Sequence, residues 1–81
     1  MSQYTFTVIM QNQFGVLNRL TSLFRRKQFY ISSIAATETE HKDYSKITFC
    51  YEGSEEHKQH LIDQLYKLPD VCSITELTRD H

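Results

Sequence analysis

The chain has 81 residues, a length typical of one small domain. Hydrophobic residues make up 40% of it and there are only two glycines and one proline, so the composition favours a folded domain over a linker or a low-complexity segment. The formal net charge of −1 argues against a dedicated nucleic-acid-binding protein, and no apolar run approaches the ~20 residues of a membrane-spanning helix.

The amino terminus and the cysteines bear on the cellular compartment. Residues 1–4 have neither the basic region nor the apolar region of a signal peptide. Cys50 and Cys72 form no CxxC motif, and a secreted domain of this size usually carries more cysteines. We therefore expect a cytoplasmic protein in which both cysteines are small, buried strand residues without a disulfide.

The first half of the chain predicts a strand, a helix and a second strand. Apolar residues alternate over residues 4–10, and the apolar Ile9 on the second face favours a central strand. Apolar residues then recur at helical spacing over residues 16–24, and the basic residues 25–27 suit the end of a helix. Residues 29–39 are rich in β-branched and small side chains, which predicts the second strand.

The second half predicts a hairpin, a helix and a last strand. Residues 47–51 alternate as a third strand, joined to the second through the polar turn 40–44. Residues 53–56 predict a helix start capped by Ser54, and Pro69 cannot continue that helix. Residues 71–78 predict the fourth strand, followed by a frayed tail.

The resulting order is βαββαβ, with one apolar stripe on each helix. Two such helices must cover one face of a four-stranded sheet, since neither buries its stripe alone. Right-handed crossovers around a central hairpin then predict an α+β fold of the ferredoxin-like type, with an antiparallel sheet. No domain boundary is visible, so we expect one domain over residues 1–81.

The segment between the first strand and the first helix is the best candidate binding site. The first N–H groups of a helix have no partner within the helix and attract a carboxylate. Gly15 allows close approach to the backbone, and the amide of Asn12 both donates and accepts. An amino acid's carboxylate would lie on the N–H groups of Gly15, Val16 and Leu17, and Asn12 would hold its ammonium group. A helix cap and tight turn that bind nothing explain the same pattern.

Two other groups of residues are weaker candidates, one for a metal site and one for an RNA-binding surface. His57 and His60 lie three residues apart on the second helix, but a metal site needs a third ligand, so a solvated helix surface is favoured. Phe49 and Tyr51, with the basic residues 25–27, suggest the base-stacking strands of RNA-recognition modules. The Gly-aromatic pattern of those modules is absent and the charge is near zero, which favours strand packing and helix-end charge complementation.

Three segments of the chain resemble one family. Residues 12–20 (NQFGVLNRL) are similar to the N-x-x-G-x-L-x-R opening of ACT domains. Residues 23–34 and 64–71 are similar to the L-F-x-x-R-G-[YF]-N-I-x-S-L and Q-L-x-K-L-x-D-V segments of the small, regulatory subunit of acetolactate synthase. The segments follow in matching order across nearly the whole chain, which resembles a short, single-domain form of that subunit.

The resemblance implies a non-catalytic ACT domain that forms a homodimer through its sheet edge and activates a catalytic subunit. It implies no metal or cofactor in this chain, with thiamine diphosphate and Mg²⁺ held by the catalytic subunit, which starts branched-chain amino-acid synthesis. It also implies an amino-acid effector bound between protomers. The implied effector-binding residues come from the loop of one protomer and the second strand of the other: Asn12, Gly15, Val16, Leu17, Tyr30, Ile31 and Ser32.

The chain departs from the family pattern at three points. Gln28-Phe29-Tyr30 stands where the family has Gly-aromatic-Asn, and Tyr30 lacks the amide that helps to hold the effector. Valine, leucine, isoleucine or no effector at all therefore remain open. Pro69 replaces a usual valine, and many relatives continue into a C-terminal domain. The alternatives are an ACT amino-acid sensor for another enzyme and, from a different class, an RNA-binding ferredoxin-like domain.

Overall fold

Helices and strands alternate in the predicted βαββαβ order. The computed structural model describes residues 2–11 and 15–77. The elements are β1 Ser2–Gln11, α1 Val16–Arg26, β2 Ile31–Glu38, β3 Tyr44–Gly53, α2 Glu55–Tyr66 and β4 Val71–Leu77. The predicted end of the last strand at Thr78 and the predicted frayed tail lie outside the described residues.

The four strands form one sheet in the order β2-β3-β1-β4, and every neighbouring pair is antiparallel. β1 is central, as predicted, because it pairs with β3 on one side and with β4 on the other. β2 and β3 form the predicted hairpin. The edges of the sheet are therefore β2 and β4.

One face of the sheet is covered by the helices. Phe6, Val8 and Met10 of β1 are at most 1% exposed and point to the covered face, because alternate residues of a strand share a face. The ring centroids of Phe24 on α1 and Phe49 on β3 lie 4.9 Å apart, which joins the helix layer to the sheet. The buried apolar core comprises Phe6, Val8, Met10, Val16, Leu20, Leu23, Phe24, Phe29, Ile47, Phe49, Tyr51, Leu61 and Leu65. This arrangement confirms the ferredoxin-like α+β fold.

The end of α1 differs from the sequence-based prediction. Phe29 was expected to begin the second strand, but its N–H donates to the carbonyl oxygen of Phe24 at 2.9 Å and its side chain is buried. The N–H of Gln28 donates to Arg25 at 3.2 Å, and Gln28 has a φ of 60°. These two bonds and the left-handed residue form a Schellman motif, so Phe29 closes the helix and β2 begins at Ile31.

Two other local predictions, for Gly53 and for the two cysteines, need correction. Gly53 ends β3 and does not open the second helix, which begins at Glu55 after the predicted cap; Ser54 Oγ accepts from the N–H of His57 at 3.0 Å. Pro69 does not continue the helix, as predicted: α2 ends at Tyr66, and the backbone turns at residues 67–70. Cys72 was expected to be buried but is exposed on the edge strand β4, and Cys50, also expected to be buried, is half-buried; the two cysteines do not form a disulfide.

The helices α1 and α2 have 11 and 12 residues. Within the ranges 2–11 and 15–77, no helix is long and apolar enough to cross a membrane.

Replacing Gln28 by glycine is expected to stabilise the fold by about 1 kcal/mol. A left-handed conformation costs a residue with a Cβ roughly 1–2 kcal/mol, and the larger backbone entropy that glycine loses on folding takes back part of this gain. Urea denaturation at one fixed protein concentration measures the difference. Lys27→Gly is the control, because Lys27 has a φ of −96° and gains nothing from glycine. A Gln28→Gly variant that is no more stable than the wild type contradicts the left-handed conformation assigned to Gln28 in the Schellman motif.

Candidate functional site

Gly15 forms the entrance to α1. It has a φ of 81° and occupies the N-cap position, where it provides no side-chain cap. This left-handed conformation favours glycine over residues with a Cβ. Apart from Gly15 itself and its chain neighbours, no heavy atom of the described residues lies within 4 Å of the position that a Cβ would occupy there. Among the described residues, nothing fills the space on that side of the Gly15 backbone.

The first turn of α1 presents N–H groups without a capping group. Its first turn contains no acidic residue, in contrast to α2, which carries Glu55 and Glu56 there. No residue in the described part of the chain accepts a hydrogen bond from the N–H of Val16 or Leu17. Such a helix start carries a partial positive charge and attracts an anion.

The predicted loop residues have different exposures. Val16 is 7% exposed and packs in the core, so its side chain supports the helix start from below. The side chain of Leu17 is 40% exposed, at the same end of the helix as these N–H groups. Asn12, which was predicted to hold the ammonium group, lies outside the described residues.

The other predicted group, Tyr30 to Ser32, lies at the start of β2. The carbonyl oxygen of Tyr30 accepts from the N–H of Glu52 at 3.0 Å, and its side chain is 65% exposed. Ile31 packs against the core, and the register with β3 shifts between Ile31 and Ser33. Ser32 is therefore the extra residue of a β-bulge, and its side chain is exposed.

The structure of one chain does not bring these two groups together. Ile31 is in register with Tyr51, which is paired with Tyr4 near the start of β1. Gly15, by contrast, follows the far end of β1. Residues 4–11 of β1 alone span about 23 Å at ~3.3 Å per residue. Both groups would meet at one effector only if a second copy supplied one of them, as the resemblance implies.

The histidine pair packs on an aromatic residue. The rings of His57 and His60 lie 4.6 and 5.6 Å from that of Phe29, centroid to centroid, so His57 is less solvated than predicted. A pocket of about 400 Å³ beside them is lined by Ser54, Glu56 and both histidines. In the described parts of the chain, no group of three or more metal-ligating side chains comes together.

The aromatic residues considered for RNA binding are inaccessible. Phe49 and Tyr51 are both 0% exposed and lie under the helices, where no base can stack on them. The hydroxyl of Tyr51 donates to the carbonyl oxygen of Ser54 at 3.1 Å, and burial raises the pKa of this phenol. A Cβ on Gly53 would collide with the same phenol. Both residues serve the core, so the RNA-binding alternative loses its stacking surface.

Sequence reasoning missed one contact next to the candidate site. The carboxylate of Asp70, before β4, forms an ion pair with the guanidinium group of Arg19 in α1. The carbonyl oxygen of Asp70 also accepts from the N–H of Gln11 at 2.8 Å. Both Arg19 and Asp70 belong to the quoted motifs, but nothing in either motif indicates that the two residues meet.

The comparison with known proteins agrees with the resemblance. Residues 6–73 match the family described as the AHAS small subunit-like ACT domain. The chain is 37% identical over 76 residues to a probable acetolactate synthase small subunit of Archaeoglobus fulgidus, with 94% of this chain and 48% of the relative covered. It is 36% identical over 78 residues to the acetolactate synthase small subunit of Mycolicibacterium smegmatis, with 96% and 46% covered.

A solved structure supports the same assignment. The acetolactate synthase small subunit of Thermotoga maritima superposes with a TM-score of 0.87 at 28% identity, covering 94% of this chain and 47% of that chain. The present chain thus spans about half the length of the relatives it matches.

Proposed function

Because the chain belongs to the family of AHAS small subunit-like ACT domains, we propose that it is a non-catalytic regulatory subunit of acetolactate synthase. The observation that carries the proposal is the 36–37% identity to small subunits of that enzyme over nearly the whole chain. In this proposal both subunits are cytoplasmic, and thiamine diphosphate and Mg²⁺ belong to the catalytic subunit.

The proposed mechanism is a shift in the conformations of the catalytic subunit. A regulatory subunit that binds the active conformation more tightly than the inactive one raises the population of the active form. An amino acid bound to the regulatory subunit changes the activity only through its own difference in affinity for the two states. Such coupling is typically about 1–3 kcal/mol, or about 5- to 150-fold in an equilibrium constant.

Adding this chain to the acetolactate synthase catalytic subunit of the same organism is expected to raise the turnover of pyruvate about fivefold or more. Initial rates are measured against chain concentration, and analytical size exclusion checks that the two proteins associate. Bovine serum albumin at the same mass concentration is the control for non-specific stabilisation. Absence of both association and rate change refutes the proposal.

We further propose that two copies pair through β2. Residues 32–37 are exposed along this edge strand, which has no proline and no charged residue before Glu38. Unpaired N–H and C=O groups on such an edge are a template for another strand. A groove of about 280 Å³ beside the edge is lined by Thr21, Phe24, Arg25, Phe29, Ile31 and Ile34. A second copy would therefore find both hydrogen-bonding groups and apolar surface there.

Antiparallel pairing of β2 with its copy would also complete the candidate site. The end of β2 is in register with Ser45 of β3, which is paired with Met10 near the end of β1. A two-fold axis at the middle of β2 sets the start of one β2 beside the end of the other. The copy's Tyr30 would then lie at the end of the sheet that carries Gly15.

Ile34→Lys is expected to shift the chain from dimer to monomer, because it places a charge on the apolar edge of β2. Leu77→Lys is the matched control, since Leu77 is a similarly exposed apolar residue, 45% against 37%, on the opposite edge strand. Sedimentation velocity over a range of concentrations measures both. A wild type that stays monomeric, or a dimer that only Leu77→Lys dissociates, contradicts pairing through β2.

The effector in this proposal is a small amino acid. Its carboxylate would be held by the N–H groups of Val16 and Leu17, and the exposed side chain of Leu17 offers apolar contact to an aliphatic side chain. Tyr30 of the second copy would bring a phenol in place of the family's amide. In this proposal the anion site selects for a carboxylate. The contact with Tyr30 of the second copy then selects among the aliphatic amino acids.

Gly15→Asp is expected to abolish the response to valine, because it places a negative charge where the carboxylate would bind. Gly15→Asn is the matched control: it has nearly the same shape, tolerates the left-handed conformation equally and adds no charge. Thermal shift with valine and the rate of the complex with the catalytic subunit are the two measurements. Equal valine responses in the two variants contradict an anion site at Gly15.

A further inference from the structure

Asp70 touches both elements that flank residues 12–14. Its carbonyl oxygen accepts from the N–H of Gln11, the last residue of β1, at 2.8 Å. Its carboxylate pairs with the guanidinium group of Arg19, in the first turn and a half of α1. One residue, positioned by the turn before β4, thus links the end of the strand to the start of the helix.

The pair is more than a loose surface contact. The side chain of Asp70 is 7% exposed, whereas that of Arg19 is 45% exposed. A buried carboxylate must be paired or hydrogen-bonded, because leaving it without a partner is costly. The helix also needs this partner, since a cation near the start of a helix is unfavourable and the first turn of α1 has no acidic residue.

We propose that Asp70 is a positioning residue for the effector site: through Arg19 and Gln11 it fixes the first turn of α1 relative to β1. The N–H groups of Val16 and Leu17 are then held in the orientation for binding before an effector is present. A site ordered in advance pays less conformational entropy on binding. This inference rests on the proposed function, because it assumes that an effector binds at the start of α1.

The structure supplies a matched control for this role. Glu76 of β4 pairs with Lys58 of α2 at 3.1 Å, a second ion pair between a helix and the segment around β4. This pair joins α2 to the sheet and touches neither Gln11 nor α1. Arg19 and Lys58 also make equivalent backbone bonds, each N–H donating at 3.0 Å to the N-cap carbonyl, that of Gly15 or Ser54.

Amide hydrogen exchange tests the positioning directly. In Asp70→Asn, the amides of Gln11 and Arg19 are expected to exchange about 10-fold faster, while that of Lys58 keeps its rate. Glu76→Gln should leave Gln11 and Arg19 unchanged. Arg19→Met, at a half-exposed position, provides a second variant in case Asp70→Asn folds poorly. Unchanged exchange at Arg19 in the Arg19→Met and Asp70→Asn variants overturns the proposal.

A valine titration of the complex with the catalytic subunit tests the functional consequence. Asp70→Asn is expected to raise the valine concentration for half-maximal response about 10-fold while leaving the maximal response unchanged, and Arg19→Lys should retain most of the wild-type affinity. If the wild type responds and Asp70→Asn keeps its midpoint, the positioning role is wrong but the effector site stands. If the wild-type complex responds to none of valine, leucine and isoleucine, the effector site itself is refuted.

Discussion

The pairing of β1 with β3 is the constraint from which the rest of the structure follows. All ten residues of β1 are in register with β3, from Ser2 with Gly53 to Gln11 with Tyr44. This register stacks the ring of Phe6 on that of Phe49 at 5.5 Å and the ring of Tyr4 on that of Tyr51 at 6.0 Å. One face of the two central strands is therefore apolar, and the two helices must cover it. β2 and β4 are left to the edges.

The fold was predictable because its signals are local and repeated. A one-residue slip in register would turn every apolar side chain to the wrong face, so strands with one covered face keep a clear alternation. The errors occurred where a tertiary contact overrides local propensity. Phe29 has the composition of a strand residue, but burial against the histidines of α2 and a bond to Phe24 make it the end of α1. Cys72 follows the strand pattern, yet an edge strand leaves it in contact with solvent.

The candidate site was only partly predictable, for a similar reason. Gly15 was identifiable because the left-handed conformation at the helix start favours glycine at that one position. The contact between Arg19 and Asp70 has no local sequence signal, since it joins α1 to the turn before β4 and depends on the sheet order. A single chain would hold only part of the proposed site, because the start of β2 and the start of α1 lie at opposite ends of the sheet. Only the resemblance to a family whose members form dimers indicates a site that is shared between two copies of the chain.

The two edges of the sheet are unequal, and this inequality limits how far copies can assemble. The β2 edge is uncharged before its last residue, while β4 carries Glu76, whose carboxylate is held by Lys58 of the same chain. If β2 of one copy pairs with β2 of another about a two-fold axis, the uncharged β2 edges are both used in that contact. Only the two β4 edges then remain at the ends of the joined sheet. A two-fold contact closes on itself, whereas a head-to-tail contact from β2 to β4 would continue into a filament. The unequal edges thus favour a particle of fixed size over open-ended growth.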